Sequence, residues 1–114
     1  MTLPELPAQP ELLKAILEPL LDDFLFWFDR AEQLLTKESI DFLTPEEQAA
    51  LCNRLAVATA EVRSTQALFK AMDGSIGIEV AVMKPWHALV TECWQIGARW
   101  RREQAQQLPP ETSQ

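Results

Sequence analysis

The sequence predicts an all-α fold: a three-helix, up-down-up antiparallel bundle with heptad seams, its first and third helices kinked by proline. Three observations predict it. Ala, Leu, Gln and Glu abound while Gly numbers only 3 and Tyr is absent, a mix that favours helix over sheet. Apolar residues recur alternately three and four apart along three stretches, the spacing of helices that meet along a seam. The connections after the first and second stretches are short, which makes consecutive helices antiparallel neighbours.

The first helix is expected to begin near Pro10, a residue suited to the first helical turn, and to run to about Leu35. Its seam reads Leu13, Leu17, Leu20, Phe24, Trp27, Ala31, Leu34. Pro19 interrupts it and should bend the helix, because its ring displaces the carbonyl four residues back. In "SIDFLTPEEQ", Thr44 can cap the second helix, Pro45 takes its first position, and Glu47 completes a capping box. That helix should reach about Asp73, with Gly74 taking the left-handed stop conformation. Its seam is Leu51, Leu55, Ala58, Val62, Thr65, Phe69, Met72, and Ala56, Ala58, Ala60 and Ala67 keep it slim.

Residues 75–84, "SIGIEVAVMK", alternate as a strand would. No other stretch reads as a strand, so a lone one would lack a partner within the chain. A helix beginning between Ser75 and Ile78 and kinked at Pro85 is favoured; a strand pairing across a dimer is the alternative. The third helix carries Trp86, Leu89, Cys93, Ile96 and Trp100 on its seam and ends by about Gln107. Arg99, Arg101 and Arg102 suit the negative end of its dipole. Residues 1–108 are thus expected to form a single helical domain, and 109–114 a flexible tail.

Size and charge limit the function. A 114-residue chain can bury about two-thirds of its unfolded surface, enough for a core without disulfides or metals. "MTLPELPAQPELLK" has no basic region followed by an apolar one, so no secretory leader is expected. The longest apolar run, "FLFWF", is far short of the roughly 20 residues of a membrane span. Two cysteines, Cys52 and Cys93, make no disulfide framework. A soluble, cytoplasmic chain with reduced thiols follows as the expectation. The formal charge of −7 is uneven: residues 1–50 hold eleven acids against three bases, residues 51–114 six against seven. Phosphate backbones and anionic lipid are repelled by the first half, so no nucleic-acid partner is expected. A basic protein surface, or a second copy presenting its basic half, fits better.

Candidate chemistry concentrates in "KPWHALVTECWQIGARW", residues 84–100. Trp86, Cys93 and Trp100 share a face with Leu89 and Ile96, so they read as core. Gly97, one turn after Cys93, lets a ring or another backbone come close. His87 and Trp94 sit about 100° around the helix from that seam, beside Val90 and Thr91, with Arg101 further along. A histidine beside an indole could hold a flat pigment or ligate a tetrapyrrole metal; the plainer reading has His87 hydrogen-bonding near the helix start and Trp94 covering the core's edge. Cys93 lies about 120° from His87, so one metal would not take both. No phosphate loop, nucleophile elbow or metal motif occurs, and buried cysteine more often packs than reacts. No enzyme, no catalytic residue, no metal and no resident cofactor is expected.

"DDFLFWFD", residues 22–29, is the other informative stretch. Asp22 and Asp29, with Glu11 and Glu18, mark the face opposite the first seam, and Phe26 falls on it. Leu25 and Phe28 fill the flanks, making the helix apolar all round near Phe24–Phe28. Two neighbours cannot cover a full circumference. Phe26 should therefore be covered by Ile40 and Phe42 of the 36–43 connection, by the tail, or by another chain.

"PELLKAILEPLLDDFLFWF" and "LFKAMDGSIGIEVAVMKPWHALVTECWQ", in that order, resemble a family of short cyanobacterial proteins of unknown function. The likeness spans roughly Pro10 to Arg102, and its most specific part is Pro85-Trp86-His87 followed by Glu92-Cys93-Trp94. The resemblance implies a cytoplasmic or thylakoid-facing protein and carries no activity, cofactor or catalytic residue. Three functional expectations stand together. The leading one is a non-enzymatic, acidic interaction or adaptor protein, homodimeric, using Asp22, Phe26, Asp29, Trp94, Arg99, Arg101 and Arg102. The second is a tetrapyrrole- or pigment-associated module using His87 and Trp94. The third is peripheral membrane contact through "FLFWF", weakened by the acids on both sides.

Overall fold

The structure, a computed structural model, describes residues 9–73 and 80–107. Among them the regular elements are three long helices and no strand: α1 (Gln9–Lys37), α2 (Pro45–Ala71) and α3 (Val80–Gln107). Residues 80–84 are helical. Gly74, residues 75–79 and the expected tail at 109–114 lie outside the described residues. Pro19 and Pro85 both sit inside helices.

α2 starts where its local chemistry requires. Thr44 is extended (φ −70°, ψ 158°), its Oγ1 accepts from the Glu47 N–H at 3.0 Å, and its own N–H donates to Glu47 Oε1 at 2.8 Å. Two orphan donors of the first turn are satisfied reciprocally, and Pro45 has no N–H to satisfy. At the other end the Met72 and Asp73 N–H groups donate back to Leu68 and Lys70 carbonyls. The left-handed residue in view is Asp73 (φ 53°), one position before the glycine the sequence suggested. Aspartate is among the few side chains that tolerate that conformation. Lys14 Nζ donates to Asp73 Oδ1 at 3.0 Å, so an early turn of α1 meets the end of α2.

The α1–α2 connection is held by one amide. Gln48 Nε2 donates to the Leu35 and Glu38 carbonyls, each at 2.8 Å, and Gln48 Oε1 accepts from the Ile40 N–H at 3.0 Å. Carbonyls at the end of α1 that no helical N–H can reach thereby gain a donor. The clip also drives Ile40 into the core, where it is almost fully buried.

The core corrects the expected seams. On α1 the buried residues are Leu17, Leu21, Phe24, Phe28 and Leu35, while Leu20, Trp27, Ala31 and Leu34 are only partly buried. Phe28, read from sequence as a flank residue, and Leu21, absent from the expected seam, are among the most enclosed side chains. α1 packs on both other helices, so it needs two adjacent apolar stripes, and a one-seam reading catches half of each. On α2 the expected Leu51, Leu55, Ala58, Val62 and Phe69 are buried, Thr65 is half-buried, and Met72 is exposed beyond the contact. On α3 Trp86, Leu89 and Val90 are buried. Val90 had been placed on the flank with His87; Cys93, Ile96 and Trp100 pack against the core only in part.

The three helices meet at Trp86. Its ring lies edge-on to Phe24 of α1 (centroids 5.5 Å apart, 69°), and its Nε1 donates to Glu61 Oε1 of α2 at 3.0 Å. The indole buries its apolar body and keeps a partner for its one donor. Nearby, Arg54 of α2 forms a two-pronged pair with Glu92 of α3 at 2.9 and 3.0 Å. Glu92's hydrogen bond raises the Arg54 pKa further. The pair is partly exposed, so it aligns the helices more than it stabilises them.

Gln48→Ala leaves three backbone groups without their partner and should cost about 1–3 kcal/mol in urea unfolding. Thr44→Ala removes one cap and should cost about 1 kcal/mol. A Gln48→Ala loss no larger than the Thr44→Ala loss would show that the clip does not hold the connection.

Candidate functional site

Covering α1 from two sides leaves a third side open, and the outward residues of "DDFLFWFD" occupy it. Asp22 and Asp29 are exposed, and Phe26 between them keeps 50% of its surface. The connection does not cover Phe26: Ile40 is inside the core, and Phe42 lies under Arg99, whose guanidinium carbon stands 4.1 Å from the ring centroid. What touches Phe26 is local, the Trp27 ring (5.0 Å, 80°) and the Arg30 guanidinium (5.7 Å).

Trp27 in turn meets Trp94 of α3 edge to face, at 5.3 Å and 84°. Phe26, Trp27 and Trp94 therefore form one continuous aromatic ridge across α1 and α3, and Trp94 is 47% exposed. Sequence inspection places Phe26 and Trp94 on separate helices; that Trp27 joins them depends on how α1 and α3 pack.

Beside the ridge a groove of about 490 Å³ runs between α1 and α3. Trp27, Trp94 and Trp100 supply its aromatic walls, Ala31 and Gly97 are its small residues, and Arg30 and Arg101 contribute charge. Gly97 leaves room, as expected, although a guanidinium uses it: Arg101 Nη1 lies 3.4 Å from where a Cβ on Gly97 would stand. A second groove of about 480 Å³ adjoins it, sharing Arg30, Leu34 and Trp100 and reaching Phe26, Asp29 and Lys37.

The remaining expected site residues divide. Asp22 Oδ1 accepts from Gln66 Nε2 at 2.7 Å and Asp29 Oδ2 from Gln33 Nε2 at 2.7 Å, so both carboxylates hold neutral amides. Arg99 is engaged within the chain, with Glu103 (2.9 Å) and Phe42, while Arg101 and Arg102 are exposed. His87 is exposed and does not line the groove. It sits two turns into α3 rather than at the helix start, and its carbonyl accepts from Thr91 Oγ1 at 3.0 Å. Of His87 and Trp94, Trp94 lines the groove and His87 does not.

Cys93 lines the groove. Burial, reinforced by the charge of Glu92 and opposed by Arg54, pushes its thiol up to about 11. A thiol so placed stays protonated near neutral pH and is a poor nucleophile. Among the described residues no three His, Cys, Asp or Glu gather as metal ligands, and no helix is long and apolar enough to cross a membrane.

An acidic, all-helical bundle with an aromatic ridge and an adjoining groove is the class of protein that fold and surface define. The chain belongs to the DUF2605 family, described as proteins of unknown function, whose pattern matches residues 7–102. No curated protein and no solved structure matches it.

Alkylation gives a direct check on Cys93. With its pKa at about 11 rather than 9.0, its thiolate fraction at pH 8 is roughly a hundredfold below that of an ordinary cysteine. Iodoacetamide labelling followed by peptide mass spectrometry should find Cys93 slow at pH 8 and accelerating up to about pH 11. Labelling at the rate of a free thiol would contradict the burial that sets its pKa.

Proposed function

We propose that this protein is a non-enzymatic interaction module, an up-down-up bundle bent at Pro19 and Pro85, that docks a protein partner through the Phe26–Trp27–Trp94 ridge. The observation that carries the reading is the ridge itself. Three rings in edge-to-face contact span two helices, and the two outer ones leave about half their surface in water. Burying each exposed ring would contribute roughly 1–2 kcal/mol, the share of a full side-chain burial that folding leaves unused. Aromatic residues of this kind are the usual anchors of protein interfaces.

The simplest partner is a second copy, because closed two-fold dimers dominate among oligomers. Charge favours it as well. The acidic outer face of α1, with Asp22 and Asp29 bordering Phe26, can oppose Arg101 and Arg102 of another copy near the end of α3. The supporting helix directions are the Lys14–Asp73 contact, which sets α1 against α2, and the Glu61–Trp86 and Arg54–Glu92 contacts, which set α2 against α3. An adaptor role agrees with the raised pKa of Cys93 and with a groove that His87 does not line. A tetrapyrrole held by His87 would sit on exposed helix outside the groove, and that position favours the docking reading over a pigment-binding one.

Analytical ultracentrifugation over a concentration series tests the proposal. The 12.9 kDa chain should sediment as a dimer, and Phe26→Asp or Trp94→Asp should move it to monomer while circular dichroism stays helical. A wild-type chain that is monomeric throughout, or a dimer indifferent to both substitutions, overturns self-docking through the ridge.

A further inference from the structure

We infer that the α1–α3 groove is a binding site for a small, flat apolar anion: a carboxylate or sulfonate carried on an aromatic body. The groove shares Trp27 and Trp94 with the docking ridge and extends beyond it to Arg30, Trp100 and Arg101. Its volume of about 490 Å³ lies within the roughly 300–1,000 Å³ typical of small-molecule sites. Trp27, Trp94 and Trp100 wall it with three indoles, the side chains that best accept a flat ring by stacking or edge contact.

The charge of the groove gives the ligand its sign. Among the described residues the ion pairs are Lys14–Asp73, Arg54–Glu92 and Arg99–Glu103, and neither Arg30 nor Arg101 enters one. Arg30 and Arg101 are the charged residues of the groove lining, and no Asp or Glu lines it, although acids outnumber Lys and Arg in this chain 17 to 10. Arg30 rests over the Phe26 and Trp27 rings at 5.7 and 5.9 Å, and Arg101 folds back toward its own helix, its Nη1 beside the bare Cα of Gly97.

A guanidinium with no carboxylate partner keeps its forked donors for an incoming oxyanion, and the planar fork matches a carboxylate or sulfonate with two hydrogen bonds. A cation would be repelled by both groups, and a neutral ring would gain the indole contacts without the ionic ones. Gly97 has a definite part here. A Cβ there would stand in contact with Arg101 Nη1 at 3.4 Å, so a side chain longer than alanine's would compete with the Arg101 head group for the same space.

Isothermal titration of the full chain with 2-naphthoate, and separately with its neutral isostere 2-naphthalenemethanol, tests the inference. The acid should bind at least about tenfold more tightly than the alcohol. Arg30→Gln and Arg101→Gln, both at exposed positions, should each bring that ratio close to one without moving the thermal midpoint. Gly97→Leu should abolish binding of both compounds. Equal affinity for acid and alcohol, a ratio untouched by Arg101→Gln, or no heat up to about 1 mM ligand overturns the site. So does clear preference for an acidic aromatic peptide over naphthoate, which would assign the groove to a protein partner.

Discussion

The junction at Trp86 is the contact on which the rest of the molecule depends. One indole from α3 closes against Phe24 of α1 and donates to Glu61 of α2, so all three helices are referred to a single side chain that is 2% exposed. Fixing α3 there fixes the register in which its later turns pass α1. Four residues beyond buried Val90, Trp94 reaches Trp27, and Gly97 and Arg101 come to face Arg30 across the groove. The aromatic ridge is thus a consequence of core packing. Once α1 has given two stripes to its neighbours, the rings on its remaining side have nowhere else to go.

What could be read from the sequence was mostly what is decided locally. Thr44, Pro45 and Glu47 specify the start of α2 within four residues, and the α2 seam is legible because its large apolar residues recur alternately three and four apart among alanines, although Val57 and Leu68 stay exposed outside it. The α1 seam was read half correctly for the opposite reason. Around Phe24–Phe28 the helix is apolar on every side, so Phe28 resembles a flank residue, and Leu21 belongs to a second stripe that shows only once two neighbours are in place. Val90 was misplaced in the same way, since α3 buries Leu89 and Val90 side by side where its expected seam admits only the first. The Gln48 clip was invisible because a glutamine at the fourth position of a helix resembles any other surface polar residue. Only the path of the 38–44 connection brings two carbonyls and an N–H to its amide.

The candidate site shows the same division. Periodicity marks Phe26 as an apolar side chain on the acidic face of α1 and Trp94 as one off the α3 seam, and both are half-exposed. Their joining through Trp27 is tertiary, as are the groove and the arginines beside it. Arg99 could not be separated from Arg101 by spacing, yet one is occupied by Glu103 and Phe42 while the other faces the groove. Membership of a family of unknown function supplies no chemistry, so the functional reading rests on this surface: a ridge suited to a protein partner and, next to it, a cationic aromatic groove suited to a smaller anion.

Fluorine NMR of protein labelled with 5-fluorotryptophan tests the division of the four tryptophans between core and surface most directly. Each resonance, assigned by single Trp→Phe substitution, is compared in H2O and D2O. The account predicts no solvent shift for Trp86, the largest for Trp94, and intermediate shifts for Trp27 and Trp100. A solvent-shifted Trp86 together with a silent Trp94 would contradict it.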